Sequence, residues 1–122
     1  MDTFEILSQL CSAAGVSGAE GSATEAAAKL LEEYGEVTLD NALGSVICKV
    51  GSWEDGKPVM LLDAHIDEIG MIVTYITEDG FLKISGCGGL DTRLLLAQQV
   101  TVYGKEKLTG IVTSTPVSYT HL

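Results

Sequence analysis

Basic residues are scarce. Seven Lys and Arg stand against seventeen Asp and Glu, a net charge of −10 over 122 residues. A phosphate-backbone partner needs clustered cations, so nucleic acid is excluded as a partner. Cysteine is also sparse: Cys11, Cys48 and Cys87 are widely spaced and form no CxxC pair. An odd count without metal or redox spacing reads as free thiols in a reducing compartment. There is no basic n-region at the start, where Asp2 stands, so the N-terminus is not a signal peptide. Long apolar runs are missing too. Val59–Leu62 and Ile69–Val73 are far too short to span a bilayer, and no membrane association is expected. A soluble cytoplasmic protein follows as the expectation. Proline occurs only twice, whereas fourteen glycines supply the turns.

What is present is enough for a core. The chain is 46% hydrophobic and 20% charged, which is not the balance of a disordered segment. Phe4, Leu7, Leu10 and Cys11 recur at helical spacing, which predicts a helix over Thr3–Ala14 with Gly15 as its C-terminal cap. Ser17 with Glu20 offers a capping box for a second helix over Ala23–Tyr34, rich in Ala, Leu and Glu and stopped by Gly35.

After Gly35 the period changes to two. Glu36–Asp40 and Ser45–Val50 read as strands joined by the turn Asn41-Ala42-Leu43-Gly44. Val59-Met60-Leu61-Leu62-Asp63-Ala64 is apolar on both faces for four residues, the pattern of a strand buried between layers. Two helices, a hairpin and a buried strand predict the start of an α/β layered domain. From Met71 the texture is that of short strands: Met71–Ile76, Phe81–Ile84, Gln98–Tyr103 and Leu108–Val112. That spacing predicts a small β-barrel or sandwich, with a boundary near Gly70. Neither part reads as complete, which points to a truncated chain.

The last six residues, Val117-Ser118-Tyr119-Thr120-His121-Leu122, are the translation of a common transposase-type sequencing adapter. They are expected to be an adapter-derived tail, which leaves His65 as the only native histidine.

The chemistry concentrates in Asp63-Ala64-His65-Ile66-Asp67-Glu68. Residues two apart in an extended chain share a face, so His65 and Asp67 point the same way. A metal-binding imidazole needs its second nitrogen held by an acceptor, usually a carboxylate, and Asp67 is placed to be that acceptor. The bland alternative is a strand-end histidine beside a solvated aspartate. Four ionisable groups at the end of an apolar run are costly unless paired or bound to a cation.

The run LLDAHIDEIGMIVTYITEDGFLKI, followed by Gly88-Gly89-Leu90-Asp91-Thr92-Arg93-Leu94 and Gln98-Gln99-Val100, resembles the tetrahedral-aminopeptidase family, which includes glutamyl aminopeptidases and FrvX-type proteins. The Val16-Ser17-Gly18 loop between two helices and the turn around Asp40–Val46 extend the resemblance from about Phe4 to Pro116. Thr92 stands where the family usually has Pro, and Ala97 where it often has Gly before Gln. Members are much longer.

The resemblance implies an α/β sandwich metallopeptidase with a small β-barrel domain inserted after the first metal-site strand. Residues 1–70 would be the N-terminal part of the catalytic domain, 71–116 part of the insert, and 117–122 the tail. His65 would ligate one of two divalent metal ions, zinc or cobalt, with Asp67 as the catalytic-site carboxylate that orients its imidazole. The other ligands and the general-base Glu would come from sequence beyond the insert. The implied reaction is hydrolysis of the N-terminal residue from short peptides by a homo-oligomer, a closed dodecamer. The fragment itself is expected to be inactive. Glu68 is read either as lining the site entrance or as a supporting contact, and Asp91–Arg93 as a local structural ion pair. Gly86–Gly89 lacks the phosphate-loop pattern. All three cysteines are expected to be buried, and Trp53 and Met60 to pack. A non-catalytic binding or assembly module with a vestigial metal site is the alternative, and a homologue acting on another hydrolytic substrate a third reading.

Overall fold

The structure is a computed structural model that describes residues 2–114. The expected adapter tail and the end of the barrel segment, from residue 115, lie outside the described residues. Two helices come first, α1 (Thr3–Ser12) and α2 (Gly21–Leu31). Three antiparallel hairpins follow: β1 (Glu36–Asp40) with β2 (Ser45–Lys49), β3 (Gly70–Ile76) with β4 (Leu82–Cys87), and β5 (Gln99–Tyr103) with β6 (Lys107–Ile111). A 3-10 turn, Thr92–Leu94, precedes β5. The chain divides into two compact units, Met1–Gly88 and Gly89–Leu122.

In the first unit α2 is the hub. Its Ala23, Thr24, Ala28 and Leu30 are the buried residues, and it packs against α1 and the β1–β2 hairpin. Small alanines let these elements approach closely. Thr24 Oγ1 donates to the Gly44 carbonyl at 3.3 Å, tying the helix to the hairpin turn. The hairpin register pairs Val37 with Cys48 and Leu39 with Val46. Its turn closes with Gly44 N–H donating to the Asp40 carbonyl at 2.8 Å, and Gly44 takes a φ of +71° that glycine adopts without strain. The β3–β4 hairpin carries a bulge at Thr74, whose hydroxyl donates to the Lys83 carbonyl at 3.2 Å.

In the second unit Asp91 caps the 3-10 turn by accepting from Arg93 N–H at 3.1 Å. Ala97 lies at φ +65°, and its N–H donates to the Val112 carbonyl at 2.9 Å.

Several expectations need correction. The capping box is at the other helix: Asp2 and Glu5 cap α1 reciprocally, whereas α2 starts at Glu20 without a side-chain cap. The Glu20 carboxylate is taken up by the Gly18 N–H. Gly15 is not a left-handed cap, because α1 ends on Ala13 in extended conformation. Val59–Ala64 forms no strand among the described residues, and Met60, Leu61 and Leu62 are exposed. Ladder formation needs a partner, and among the described residues no strand pairs with this segment. Trp53 is exposed and lies under Lys49 Nζ, 5.7 Å from the ring centre. Cys11 is exposed, while Cys48 and Cys87 are half-buried. In the segment expected to be part of a barrel, β3–β4 and β5–β6 are each two-stranded among the described residues. Gly70, which opens β3, lies against Val16.

Candidate active site

His65 and Asp67 sit in the extended segment that leads from the Gly51–Lys57 loop into β3. They face one another as their spacing requires. His65 Nδ1 lies 3.0 Å from Asp67 Oδ1 and 3.2 Å from the Asp67 carbonyl oxygen. Both are acceptors, so Nδ1 carries the hydrogen and donates to the pair. In the neutral ring Nε2 is then the nitrogen with the free lone pair. The His65 side chain is 86% exposed and Asp67 40%.

The segment lines an open groove of about 510 Å³. Ala27 and Leu31 from α2, Leu43 and Val46 from the hairpin and Leu62 from the segment are among its apolar lining; Glu20, Asp63, His65 and Asp67 supply polar lining. Residues of the hairpin and of the His65 segment therefore line one groove, which spacing alone did not predict.

Glu68 does not join this group. Its N–H donates to the Gly15 carbonyl at 2.8 Å, and its Oε1 accepts from the Gly15 N–H at 3.1 Å. The same contact appears as a parallel bridge between Val16 and Glu68. Glu68 thus holds the loop between the helices, and of its two expected roles the supporting contact is the one observed. Sequence reasoning missed this partner, because Gly15 is 53 residues away and nothing local marks it.

Among the described residues, no three His, Cys, Asp or Glu side chains converge as a metal cage would require. The donor set fits one ligand position and its orienting carboxylate: an imidazole whose Nδ1–H is held by an aspartate and whose Nε2, in the neutral ring, offers the lone pair a cation needs. In the second unit, Asp91 and Arg93 form the expected ion pair, with Nη2 2.7 Å from Oδ2 and Nε 2.9 Å from Oδ1. That guanidinium holds the Asp91 carboxyl below the usual aspartate value, first through the side-chain bonds and then through the Arg93 N–H.

Comparison with known proteins settles the family. The family model of M42 glutamyl aminopeptidase matches residues 44–122. The chain belongs to the M42 glutamyl aminopeptidase family. FrvX of Escherichia coli (strain K12) is 34% identical over 114 residues, which cover 91% of the M42 chain and 31% of FrvX. The lysyl aminopeptidase of Pyrococcus furiosus is 27% identical over 104 residues, 84% of this chain and 29% of that protein. Among solved structures, the TET aminopeptidase of Thaumarchaeota archaeon SCGC AB-539-E09 superposes with a TM-score of 0.82 at 33% identity. That match covers 95% of the M42 chain and 32% of the solved one. PhTET1-12s, a dodecamer, gives 0.79 at 33% identity, over 97% of this chain and 35% of its own. The chain spans about a third of the length of these relatives. The resemblance to the tetrahedral-aminopeptidase family, with its glutamyl aminopeptidases and FrvX-type proteins, is thereby confirmed, as is a mixed α/β fold. No helix among the described residues is long and apolar enough to cross a membrane.

Proposed function

We propose that this chain is the N-terminal portion of a two-metal M42 aminopeptidase that removes N-terminal residues from short peptides. The observation that carries the reading is the His65–Asp67 pair: an exposed imidazole whose Nδ1–H is held by a carboxylate at 3.0 Å. In that role His65 holds one divalent metal, zinc or cobalt, through Nε2. Asp67 keeps the proton on Nδ1, fixes the ring plane and raises the basicity of Nε2. Bound metal would supply a water of lowered pKa and polarise the scissile carbonyl. The remaining ligands and the general base belong to sequence outside this chain, so the chain by itself does not hydrolyse peptides.

Residues 1–70 form part of the catalytic domain in this reading, and 71–116 part of the β insert. The lysyl and glutamyl aminopeptidase names of relatives support peptide substrates. The dodecameric PhTET1-12s supports a homo-oligomer, and the free cysteines support a cytoplasmic setting. The test is release of amino acids from peptide anilides by the full-length protein. Chelator-sensitive release by that protein, and none by the 122-residue chain, is the expected result. Release by the short chain contradicts the assignment of missing ligands, and none by the full-length protein contradicts the activity.

A further inference from the structure

The segment from Val59 to Ile69 carries the candidate ligand yet belongs to no sheet among the described residues. Two of its hydrogen bonds go to Gly15: Glu68 N–H to the carbonyl at 2.8 Å, and Gly15 N–H to Glu68 Oε1 at 3.1 Å. Gly15 is buried, and a Cβ there would lie 2.8 Å from Ala23 Cβ on α2. The clasp therefore fastens the segment to the most buried helix of the unit.

The peptide unit between Asp67 and Glu68 transmits this anchoring. Its N–H is the one bound to Gly15. Its C=O is the Asp67 carbonyl, 3.2 Å from His65 Nδ1. A trans peptide is planar, with N–H and C=O directed oppositely, so fixing one aims the other. No cis peptide interrupts the chain. One rigid plane thus runs from the helix-packed loop to the imidazole.

We propose that Glu68 is a positioning residue, which fixes the His65 ring and its Nδ1–H tautomer by tying the Asp67–Glu68 peptide unit to Gly15. The proposal rests on the reading of His65 as a metal ligand. What it requires of Glu68 is reach and an acceptor oxygen. Charge is not required, which separates it from a role as ligand or proton carrier.

Two mild variants of the full-length enzyme separate reach from charge. Glu68→Gln keeps the reach and an acceptor; Glu68→Asp keeps the charge but is one methylene short. The measurements are kcat and KM, metal content by elemental analysis, the ring nitrogen-15 shifts of His65, and hydrogen exchange of the Gly15 amide. Glu68→Asp is expected to lose about tenfold in kcat, the scale of outer-sphere changes at metal sites, with KM little moved and metal content lowered. It should also show a mixture of His65 tautomers and faster Gly15 exchange. Glu68→Gln should match the wild type in all four. The reverse order, equal loss in both, or loss in neither overturns the proposal. If the wild-type protein binds no metal and cleaves nothing, the ligand reading fails by itself. The ring shifts and the Gly15 exchange then still decide the proposal: equal values in all three proteins overturn it.

Discussion

Val16 fills the space that a side chain on Gly70 would need. A Cβ at Gly70 would lie 2.5 Å from Val16 Cγ2 and 2.9 Å from Cγ1. Valine is stiff at χ1 and cannot swing aside. The first residue of β3 must therefore be glycine for the loop between the helices to lie against it, two residues from the Glu68 clasp. Gly70→Ala should destabilise the first unit by roughly 1–3 kcal/mol, the usual cost of overpacking. Val16→Ala made together with it should recover part of that loss, and a double-mutant cycle in urea measures the coupling. Strictly additive losses would show that the two residues do not meet.

The second unit offers two stabilising changes. Ala97 sits at φ +65°, a region that costs an L-residue about 1–2 kcal/mol and glycine little. Ala97→Gly should raise stability by about 0.5–1 kcal/mol after the extra chain entropy of glycine is counted. Thr92 opens the 3-10 turn behind Asp91 at ψ 102°, an extended conformation that a following proline accepts. Thr92→Pro should add about 0.4–1 kcal/mol by restricting the unfolded chain. Urea midpoints of the full-length protein check both.

The Asp91–Arg93 pair fixes a pH signature. The folded carboxyl titrates below its ordinary value, so the pair's contribution is present above the unfolded aspartate pKa and is lost as pH falls through the lowered one. The carboxylate is open to solvent, so the effect is read by carboxyl NMR rather than by melting. Arg93→Gln should move the Asp91 titration up toward the ordinary range, and added salt should do so partly. An unchanged titration in Arg93→Gln would contradict the pairing.

The sequence made the helices, the first hairpin and the strands of the other two legible, because each is set by local pattern. Asn41–Gly44 and Glu78-Asp79-Gly80 mark turns whose partners are a few residues away, and the alternation on either side sets the pairing. The pair His65 and Asp67 was legible for the same reason, being two residues apart. What failed depended on distance. Val59–Leu62 has the composition of a buried strand, but burial needs neighbours that local pattern does not specify. One failure was local: Ser17 and Glu20 have the spacing of a capping box, yet Glu20 serves Gly18 instead. The Glu68–Gly15 clasp spans 53 residues and leaves no trace in either segment.

The exposed run Met60-Leu61-Leu62, each more than four-fifths exposed, gives the 122-residue chain an unsatisfied apolar surface. The isolated chain should bind a hydrophobic dye and sediment as associated species. A sharp, monomeric, cooperative thermal transition without dye binding would contradict this.

The central claim is that His65 holds a catalytic metal with Asp67 as its orienting carboxylate. The most direct measurement is metal content and turnover on the same preparations of the full-length protein, wild type against His65→Ala and Asp67→Asn. His65→Ala should lose one metal and nearly all turnover, whereas Asp67→Asn should keep most of its metal and lose about 10–100-fold in kcat. Wild-type metal content and turnover in His65→Ala would contradict the claim outright.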